Sequence, residues 1–423
     1  MIIRKTAIKT VAHYILIYLL LISSGAWIYS LNSINIRYLI LIVCGIYLIK
    51  RIRKKSYFYV AAYLVGIMVF MLLEMGVFLQ PYYSTKMLML LEQFLIAFVA
   101  FDYDKENFTN RFVKLCAAFA LISLLFYVVQ LIKPSILSSY LTANVGWGEG
   151  TVWEMTFYGK LFYVYRYNPL TVIEMRNNGI YSEPGLYQMV LNSALFLLLF
   201  FPDLVYVKSK TKKMLIILFV VTCLTTASTT GYIGLLIIFL GFFALPNTYR
   251  EKKFKHYVTS IIFLVMMLLI VNYYLTGDDS ILSSFMFSKL SDLFTTQSGT
   301  GAARTNTISL MFSLLASNPI IGVGYGRVAD AVATLTDTGG AIFMEMVAGC
   351  GIPFTIYMLY PHFKNALRGR YGILTGMVWI GLYLNTTLAQ SREIYPALIV
   401  LAHVLSFSRN YVGANPSEGN QIS

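Results

Sequence analysis

Apolar runs close to the thickness of a lipid bilayer constrain this chain more than any other feature of its sequence. A helix needs about 20 mostly apolar residues to cross a membrane, and the runs at 57–79 and 112–132 reach that length. Charged residues make up 12% of the 423 positions, roughly half of their share in soluble domains. The sequence therefore predicts an all-α integral membrane protein.

About twelve apolar runs are candidate transmembrane helices. They are residues 11–30, 36–49, 57–79, 87–101, 112–132, 185–201, 214–227, 231–245, 257–275, 339–360, 372–389 and 393–408. Five helices are thus expected within residues 1–132, four within 185–275 and three within 339–408. Two long loops separate these groups, at 133–184 and 276–338, and a tail follows at 409–423. Loops this long in a compact protein are usually functional or disordered.

Basic residues collect in alternate connections between these runs. Clusters at the start of the chain and near residues 50–55, 105–114, 208–213, 250–255 and 364–370 hold most of the 33 lysines and arginines. Because Lys and Arg near span ends stay in the cytoplasm, both termini are predicted to be cytoplasmic and both long loops to face outward. The net charge of +14 is therefore a topology signal, and no nucleic-acid partner is predicted.

Cysteine and histidine positions argue against a metal centre. The cysteines lie in apolar runs without the spacing of metal ligands, so we expect buried thiols and no disulfide. They are Cys44, Cys116, Cys223 and Cys350. The histidines map to cytoplasmic loops or span ends, and they are His13, His256, His362 and His403. An outward site would then lack a histidine base, and no metal or other cofactor is predicted.

The first long loop ends in a charged motif that leads directly into an apolar run. Its aromatic residues, among them Trp147 and Trp153, are too numerous for a disordered segment. At its end, Arg176 and Glu183 are expected at the outer membrane boundary, where a lipid phosphate would lie. An arginine offers a planar fork to phosphate oxygens, and a carboxylate partly withdrawn from water can act as a general base.

Structural roles are the alternative for both residues. Arg176 would then extend towards the membrane surface. Glu183 would complement the dipole of a helix that begins at Pro184. The sequence leaves both interpretations open.

The second long loop contains a predicted helix that ends at a proline. Four apolar residues recur at the spacing of one helical face, so residues 303–316 are predicted to be helical, with Arg304 on that face. These apolar residues are Ile308, Met311, Phe312 and Leu315. Asn318 precedes Pro319 and is therefore disfavoured in the α region, which should end the helix.

Gly322, Gly324 and Gly326 alternate after this helix and before Arg327. Backbone N–H groups in such a loop can cradle an anion, which makes the glycines candidate substrate-binding residues. A turn whose glycines adopt positive φ angles is the alternative. A nucleotide-binding fingerprint is rejected, because the loop follows a helix instead of linking a strand to one.

Further charged residues lie within or beside apolar runs. Glu74, Glu92 and Glu345 are functional candidates because charge inside a membrane span is costly, although a structural pair explains them equally well. Arg392 lies at the outward edge of a run, where it could pair with Glu393 or face the same cavity as Arg304 and Arg327.

These motifs resemble those of the O-antigen polymerase (Wzy) and O-antigen ligase superfamily of bacterial envelope glycosyltransferases. Arg176-x-x-Gly179-x-x-x-Glu183-Pro184 is similar to an element that these proteins carry before a central helix. Arg304, a helix and Asn318-Pro319-Ile320-Ile321-Gly322-Val323-Gly324 resemble their second element. A weaker likeness lies at Phe343–Met346 and Gly349–Ile352.

The resemblance implies a fold related to the GT-C glycosyltransferases and a polysaccharide polymerase of the bacterial inner membrane. Such polymerases join oligosaccharide repeat units carried on undecaprenyl diphosphate, and a flippase and a chain-length regulator are the partners it suggests. The diphosphates are expected on arginines of both loops, namely Arg176, Arg304, Arg327 and Arg392. Glu183 is the candidate general base.

Two other functions stay open. Ligases of the superfamily carry a histidine late in the second loop, whereas Leu335–Gly340 contains none, which favours a polymerase. A flippase or other transporter of lipid-linked oligosaccharides would show internal repeats and interrupted helices near the membrane midplane. The polar residues of this chain concentrate in the loops instead.

Overall fold

The computed structural model is dominated by helices that follow the apolar runs. It describes residues 2–31, 33–78, 83–138, 142–146, 152–156, 162–164, 166–167, 176–245, 255–260, 267, 300–333, 342–368, 372–390 and 394–414. The predicted span at 257–275 and the tail at 409–423 lie largely outside these residues.

The helices are named in chain order. The first seven are α1 (Ile2–Ser23), α2 (Trp27–Leu31), α3 (Ser33–Ile49), α4 (Lys55–Phe78), α5 (Tyr83–Asp102), α6 (Lys105–Ile132) and α7 (Pro134–Ser138). The next three are α8 (Pro184–Phe200), α9 (Ser209–Thr225) and α10 (Thr229–Ala244). The last six are α11 (Thr300–Ser317), α12 (Tyr325–Ala333), α13 (Ile342–Cys350), α14 (Ile352–Leu367), α15 (Ile373–Thr387) and α16 (Pro396–Ala414).

Among the described residues, three helices are long and apolar enough to cross a membrane. They cover Thr6–Ser23, Lys55–Phe78 and Lys105–Ile132, and shorter apolar helices accompany them. In the second and third, only 22% of the apolar window is buried, so side chains such as Leu73 and Leu125 lie on the outside. Large exposed apolar surfaces suit contact with lipid rather than water. These are the features of an α-helical membrane protein.

Helix α8 occupies the centre of the bundle. Every residue from Pro184 to Phe200 is buried, and the helix packs against α6, α9, α10 and α16. An apolar surface on all sides makes such burial favourable. Pro184 starts the helix, since its fixed φ angle suits the first helical position and it lacks an N–H that would need a partner.

The described part of the apolar run at 339–360 does not form one continuous helix. It divides into α13 and α14 at Gly351, whose φ angle of 83° lies in the left-handed region that favours glycine. A proline in the first turn of α14 reinforces the new start.

A small sheet adds to the predicted all-α architecture. Strands β1 (Thr142–Gly146), β2 (Val152–Thr156) and β3 (Arg166–Tyr167) form an antiparallel sheet in that order within the first long loop. The loop also packs on α6 through Tyr163, whose hydroxyl donates to Gln130 (2.6 Å). This tyrosine is therefore buried in the protein.

The predicted helix of the second loop is confirmed as α11, which ends at Ser317, two residues before Pro319. The face that carries the four apolar residues is only partly buried. Met311 is buried, but Phe312 is exposed, and Thr307 is buried in its place.

The two ends of the bundle differ in charge. We call the end at which α4 and α6 begin the basic end, because Lys55 and Lys105 lie there. In the turn between α5 and α6, Asp104 accepts hydrogen bonds from Asn107 (3.1 Å) and Arg111 (2.7 Å). Burial alone would raise the pKa of Asp104, but these bonds lower it overall. We call the opposite end, where α1 and α9 end and α8 begins, the motif end.

Candidate functional site

The charged motif of the first loop forms a buried segment at the motif end. Residues 177–182 are buried, whereas Arg176 and Glu183 at either side are half-buried. The backbone N–H of Trp27 donates to Ile180 O (2.9 Å), and that of Asn177 donates to Thr225 O (2.9 Å). Segment 176–183 is thus held between the ends of α1 and α9. Its basic and its acidic side chain, Arg176 and Glu183, are also its most accessible ones.

Arg176 binds the turn that follows α9. Its Nε donates to Thr226 O (3.2 Å) and its Nη2 donates to Ala227 O (3.0 Å). Carbonyl groups at a helix C-terminus carry partial negative charge, so a cation is favourable there. Ala227 has a φ angle of 47°, which is uncommon for a residue other than glycine. Arg176 therefore reaches into the protein and supports a strained turn, which differs from the alternative in which it extends towards the membrane surface.

A polar network lies directly behind this arginine. Asn177 Nδ2 donates to Thr225 Oγ1 (3.0 Å) and to Ser123 Oγ (3.3 Å). Ser123 Oγ is in turn 2.7 Å from Tyr187 OH. Polar side chains inside a membrane protein are costly unless they are paired, and here they join the motif to α6, α8 and α9. Sequence analysis did not single out these residues. Ser123, Tyr187 and Thr225 are ordinary polar residues within apolar runs, and Asn177 is an uncharged residue of the motif.

The backbone conformation and the surroundings of Gly179 explain why the motif has a glycine at this position. Its φ angle is +54°, and an added Cβ would lie 2.8 Å from the ring of Tyr187. Both the backbone conformation and the close approach favour a residue without a side chain.

Glu183 directly precedes α8. Its backbone is extended (φ −136°, ψ 143°), and its carboxylate makes no capping hydrogen bond to the first turn of the helix. Its carbonyl oxygen instead accepts from the N–H groups of Leu186 (3.1 Å) and Tyr187 (3.3 Å). The carboxylate lies near the positive end of the helix dipole without serving as a hydrogen-bonded cap.

A glutamine lies beside the start of α8. A Cβ added to Gly185 would lie 2.3 Å from both amide atoms of Gln390. Gln390 Nε2 donates to Thr230 Oγ1 (3.3 Å), and Asn385 Nδ2 donates to Thr230 O (2.8 Å). Arg176 therefore contacts the turn between α9 and α10, and these two amides contact the first turn of α10.

The glycine loop of the second element is packed against α13. The N–H groups of Gly322, Val323 and Gly324 donate to the carbonyl oxygens of Asn318, Ala348 and Gly349 (2.9–3.0 Å). Gly322 and Gly324 have φ angles of 78° and 93°, and a Cβ on Gly322 would lie 2.1 Å from Gly349 O. The geometry matches a turn that needs positive φ angles. The substrate-binding role of Gly322, Gly324 and Gly326 stays a prediction.

The start of α12 does bind a carboxyl group, but that group belongs to the protein. Glu74 of α4 is buried, and its Oε1 accepts a hydrogen bond from the backbone N–H of Tyr325 (3.0 Å). Its Oε2 is 3.4 Å from Cys350 Sγ. Glu92, another candidate from an apolar run, accepts from the hydroxyl of Tyr29 (2.7 Å). Both carboxylates therefore have structural partners.

The four arginines predicted to bind diphosphate do not share one environment. Arg176 lies in segment 176–183, whereas Arg327 is exposed on α12, with its guanidinium 5.6 Å from the ring centroid of Phe78 at the end of α4. Lys86 lies nearby, above the ring of Tyr325 (5.4 Å). The backbone of Arg304 belongs to α11. Its side chain and all of Arg392 lie outside the described residues.

The cysteine prediction is confirmed, since all four thiols are free and buried. Within the described part of the chain, no three His, Cys, Asp or Glu side chains lie close enough to hold a metal ion.

No protein-family model, characterised protein or solved structure matches this chain. The likeness to envelope glycosyltransferases rests on the motifs alone.

Proposed function

We propose that this protein is a polysaccharide polymerase of the bacterial inner membrane, which joins oligosaccharide repeat units carried on undecaprenyl diphosphate. The observation that carries the proposal is the placement of Arg176 and Glu183. They flank a buried segment and are its accessible charged groups, at the start of the central helix. A cation and a carboxyl group at the two ends of one segment, in a membrane protein, support a site for a lipid-linked anionic substrate.

The chemistry requires no more than these groups and an activated donor. An acceptor hydroxyl attacks the anomeric carbon of the lipid-linked sugar, and its proton passes to Glu183. The bond between that carbon and the diphosphate oxygen breaks, and the lipid diphosphate leaves with its negative charge. Arginines near the leaving group stabilise this charge, an effect that is worth several kcal/mol in a site of this kind. Arg176, Arg304, Arg327 and Arg392 are the proposed ligands.

The proposal includes a twelve-span arrangement related to the GT-C glycosyltransferases, with both termini in the cytoplasm. The motif end then faces outward, where a flippase would deliver the lipid-linked units and a chain-length regulator would act. The alternation of basic clusters with apolar runs supports this orientation. The missing histidine between Leu335 and Gly340 favours polymerisation over ligation to another acceptor.

One observation favours a transporter of lipid-linked oligosaccharides. The break between α13 and α14 interrupts an apolar run, and interrupted helices carry the binding sites of many transporters. At this break, however, the carbonyls of Ala348 and Gly349 already accept hydrogen bonds from the glycine loop, and Ile352 N donates to Pro319 O (2.9 Å). Because its backbone groups are paired within the protein, the break offers less to a substrate than an open transporter site would.

The decisive variant is Glu183→Gln, which keeps the shape of the side chain but removes its basicity. A general base contributes about 10²- to 10⁴-fold to a rate, so we expect cells with this variant to make almost only single-repeat products. Glu106→Gln is the matched control, because Glu106 is an exposed carboxylate in the first turn of α6 at the basic end. Loss of a transporter would instead stop the presentation of every unit, single ones included. A full polymer ladder from Glu183→Gln, at normal protein level, would remove Glu183 from the mechanism.

A further inference from the structure

A cavity of about 380 Å³ lies towards the basic end, between α4, α5, α14 and α16. Its lining includes Tyr63, Phe94, His362 and His403. None of these belongs to segment 176–183 or to the glycine loop. The volume is within the range of small-molecule sites, roughly 300–1,000 Å³.

The walls of this cavity are aromatic and apolar. The ring of Phe94 stacks on His362, with 5.1 Å between centroids, and lies 5.6 Å from the ring of Tyr63. Phe98 meets His403 edge to face (6.0 Å). Val60 and Leu64 complete the side formed by α4. Such a surface suits a hydrocarbon chain better than a sugar or a nucleotide.

One polar atom in the wall lacks a partner. His362 is buried, and its Nδ1 has no hydrogen-bond partner among the described residues. Its Nε2 is 3.4 Å from Tyr63 OH, which itself donates to Met358 O (2.6 Å). A buried nitrogen without a partner is unfavourable. Because the Tyr63 hydroxyl donates to Met358 O, Nε2 is the donor in its contact with Tyr63, and Nδ1 is left as an acceptor. A ligand would therefore need a donor group, such as a hydroxyl, to supply the missing bond.

Two lysines lie close to the rim. The Lys55 ammonium is 5.8 Å from the ring centroid of Tyr59, a cavity-lining residue, and the Lys364 ammonium is 5.4 Å from that of Tyr360. Both tyrosines are more than half exposed. Tyrosines and basic side chains together are typical of the membrane boundary, and basic pockets between transmembrane helices bind the head groups of anionic lipids.

The nearby negative charge is compensated. Asp102, at the end of α5, forms an ion pair with Lys105 (2.8 Å) and accepts a hydrogen bond from Tyr57 OH (2.6 Å). The charge that remains at the rim is therefore positive.

We propose that the cavity holds one chain of an anionic phospholipid, with the lipid phosphate near Lys55 and Lys364. The lipid comes from the leaflet at the basic end, and the site is separate from the proposed catalytic one. Bound lipid fills the space between α4 and α14, and it thereby stabilises the packing of these helices.

The lysines give the first test. Purified full-length protein would be mixed with phosphatidylglycerol or phosphatidylcholine, and bound lipid would be measured by native mass spectrometry. We expect preferential binding of phosphatidylglycerol, and a loss of about tenfold or more in the Lys55→Ala/Lys364→Ala double variant, because each lysine near the surface contributes to the attraction. Lys213→Ala is the matched control, since its ammonium also lies over a tyrosine, Tyr257 (4.5 Å), away from the cavity. Equal loss in the control and the double variant would overturn the proposal.

The cavity itself gives the second test. Val60→Trp should fill the cavity and abolish phosphatidylglycerol binding. If this variant does not fold, Ser56→Phe at the exposed rim is tested in its place. Glycerol phosphate, which has the charge but no chain, should not compete with the lipid. Unchanged lipid binding in a folded cavity-filling variant contradicts the proposed site. Competition by glycerol phosphate at concentrations similar to those of the lipid would show a site for a soluble anion instead.

Discussion

Arg176 and Arg327 are both cations at the motif end, yet they have different surroundings. The guanidinium of Arg176 is half-buried and donates to two backbone carbonyls after α9. Arg327 is exposed beside Phe78. The loss of Arg176 would therefore affect both stability and any substrate contact. The loss of Arg327 would instead affect mainly the binding of substrate and have little effect on stability.

Lysine substitutions separate these contributions. Arg176→Lys keeps the charge but loses the planar fork, so we expect lower thermal stability, by roughly 0.5–1.5 kcal/mol for each hydrogen bond lost. Arg327→Lys should change stability by less than about 0.5 kcal/mol, as is usual at exposed positions. If both arginines bind diphosphate bidentately, both variants should lose most long-chain polysaccharide.

The measurements are thermal unfolding in detergent and gel analysis of the polymer at equal protein level. A near-normal amount of polymer from cells with Arg327→Lys would show that Arg327 does not bind the diphosphate bidentately. Near-normal polymer from a destabilised Arg176→Lys variant would leave that arginine a structural role only.

At the scale of elements, local sequence patterns predicted where helices form better than they predicted which elements pack against them. The spacing of apolar residues and Pro319 were enough to place α11 and its end. They could not show that Phe312 is exposed, because the burial of a helical face depends on which neighbour packs against it. The glycine loop was ambiguous for the same reason. Its partners, Gly349 and Glu74, are distant in sequence, so periodicity carries no information about them.

Glu74 links three elements, and its replacement tests this assembly. Glu74→Leu would leave the buried N–H of Tyr325 without an acceptor, which typically costs about 1–3 kcal/mol. Glu74→Gln keeps an acceptor oxygen at the same place and should cost clearly less. Thermal unfolding and limited proteolysis of residues 300–333 would measure the difference. Equal stability of the two variants would mean that the hydrogen bond to α12 contributes little.

At the scale of the whole molecule, the protein class could be predicted from the sequence, whereas contacts between distant helices could not. Hydropathy and basic clusters were sufficient for a helical membrane protein, because both are local and repeat along the chain. The approach of His362 to His403, with ring centroids 5.6 Å apart, could not be predicted. It depends on how α14 and α16 pack, and neither histidine has a motif around it. Likewise, the strands of the first loop pair only within the folded loop.

Orientation in the membrane is the property on which the proposed function depends most directly. Single cysteines at Ser135 and Ser317 would lie in or beside the long loops, and one at Ser209 would lie at the basic end; all three serines are exposed. In a background in which the four buried native cysteines are replaced, we expect the first two to react with a membrane-impermeant thiol reagent added to intact spheroplasts. Ser209→Cys should react only after the membrane is opened, because the lysines around it hold that end in the cytoplasm. The reverse pattern would place Arg176 and Glu183 on the cytoplasmic side, where no flipped lipid-linked unit is available, and the proposed polymerase would have to be abandoned.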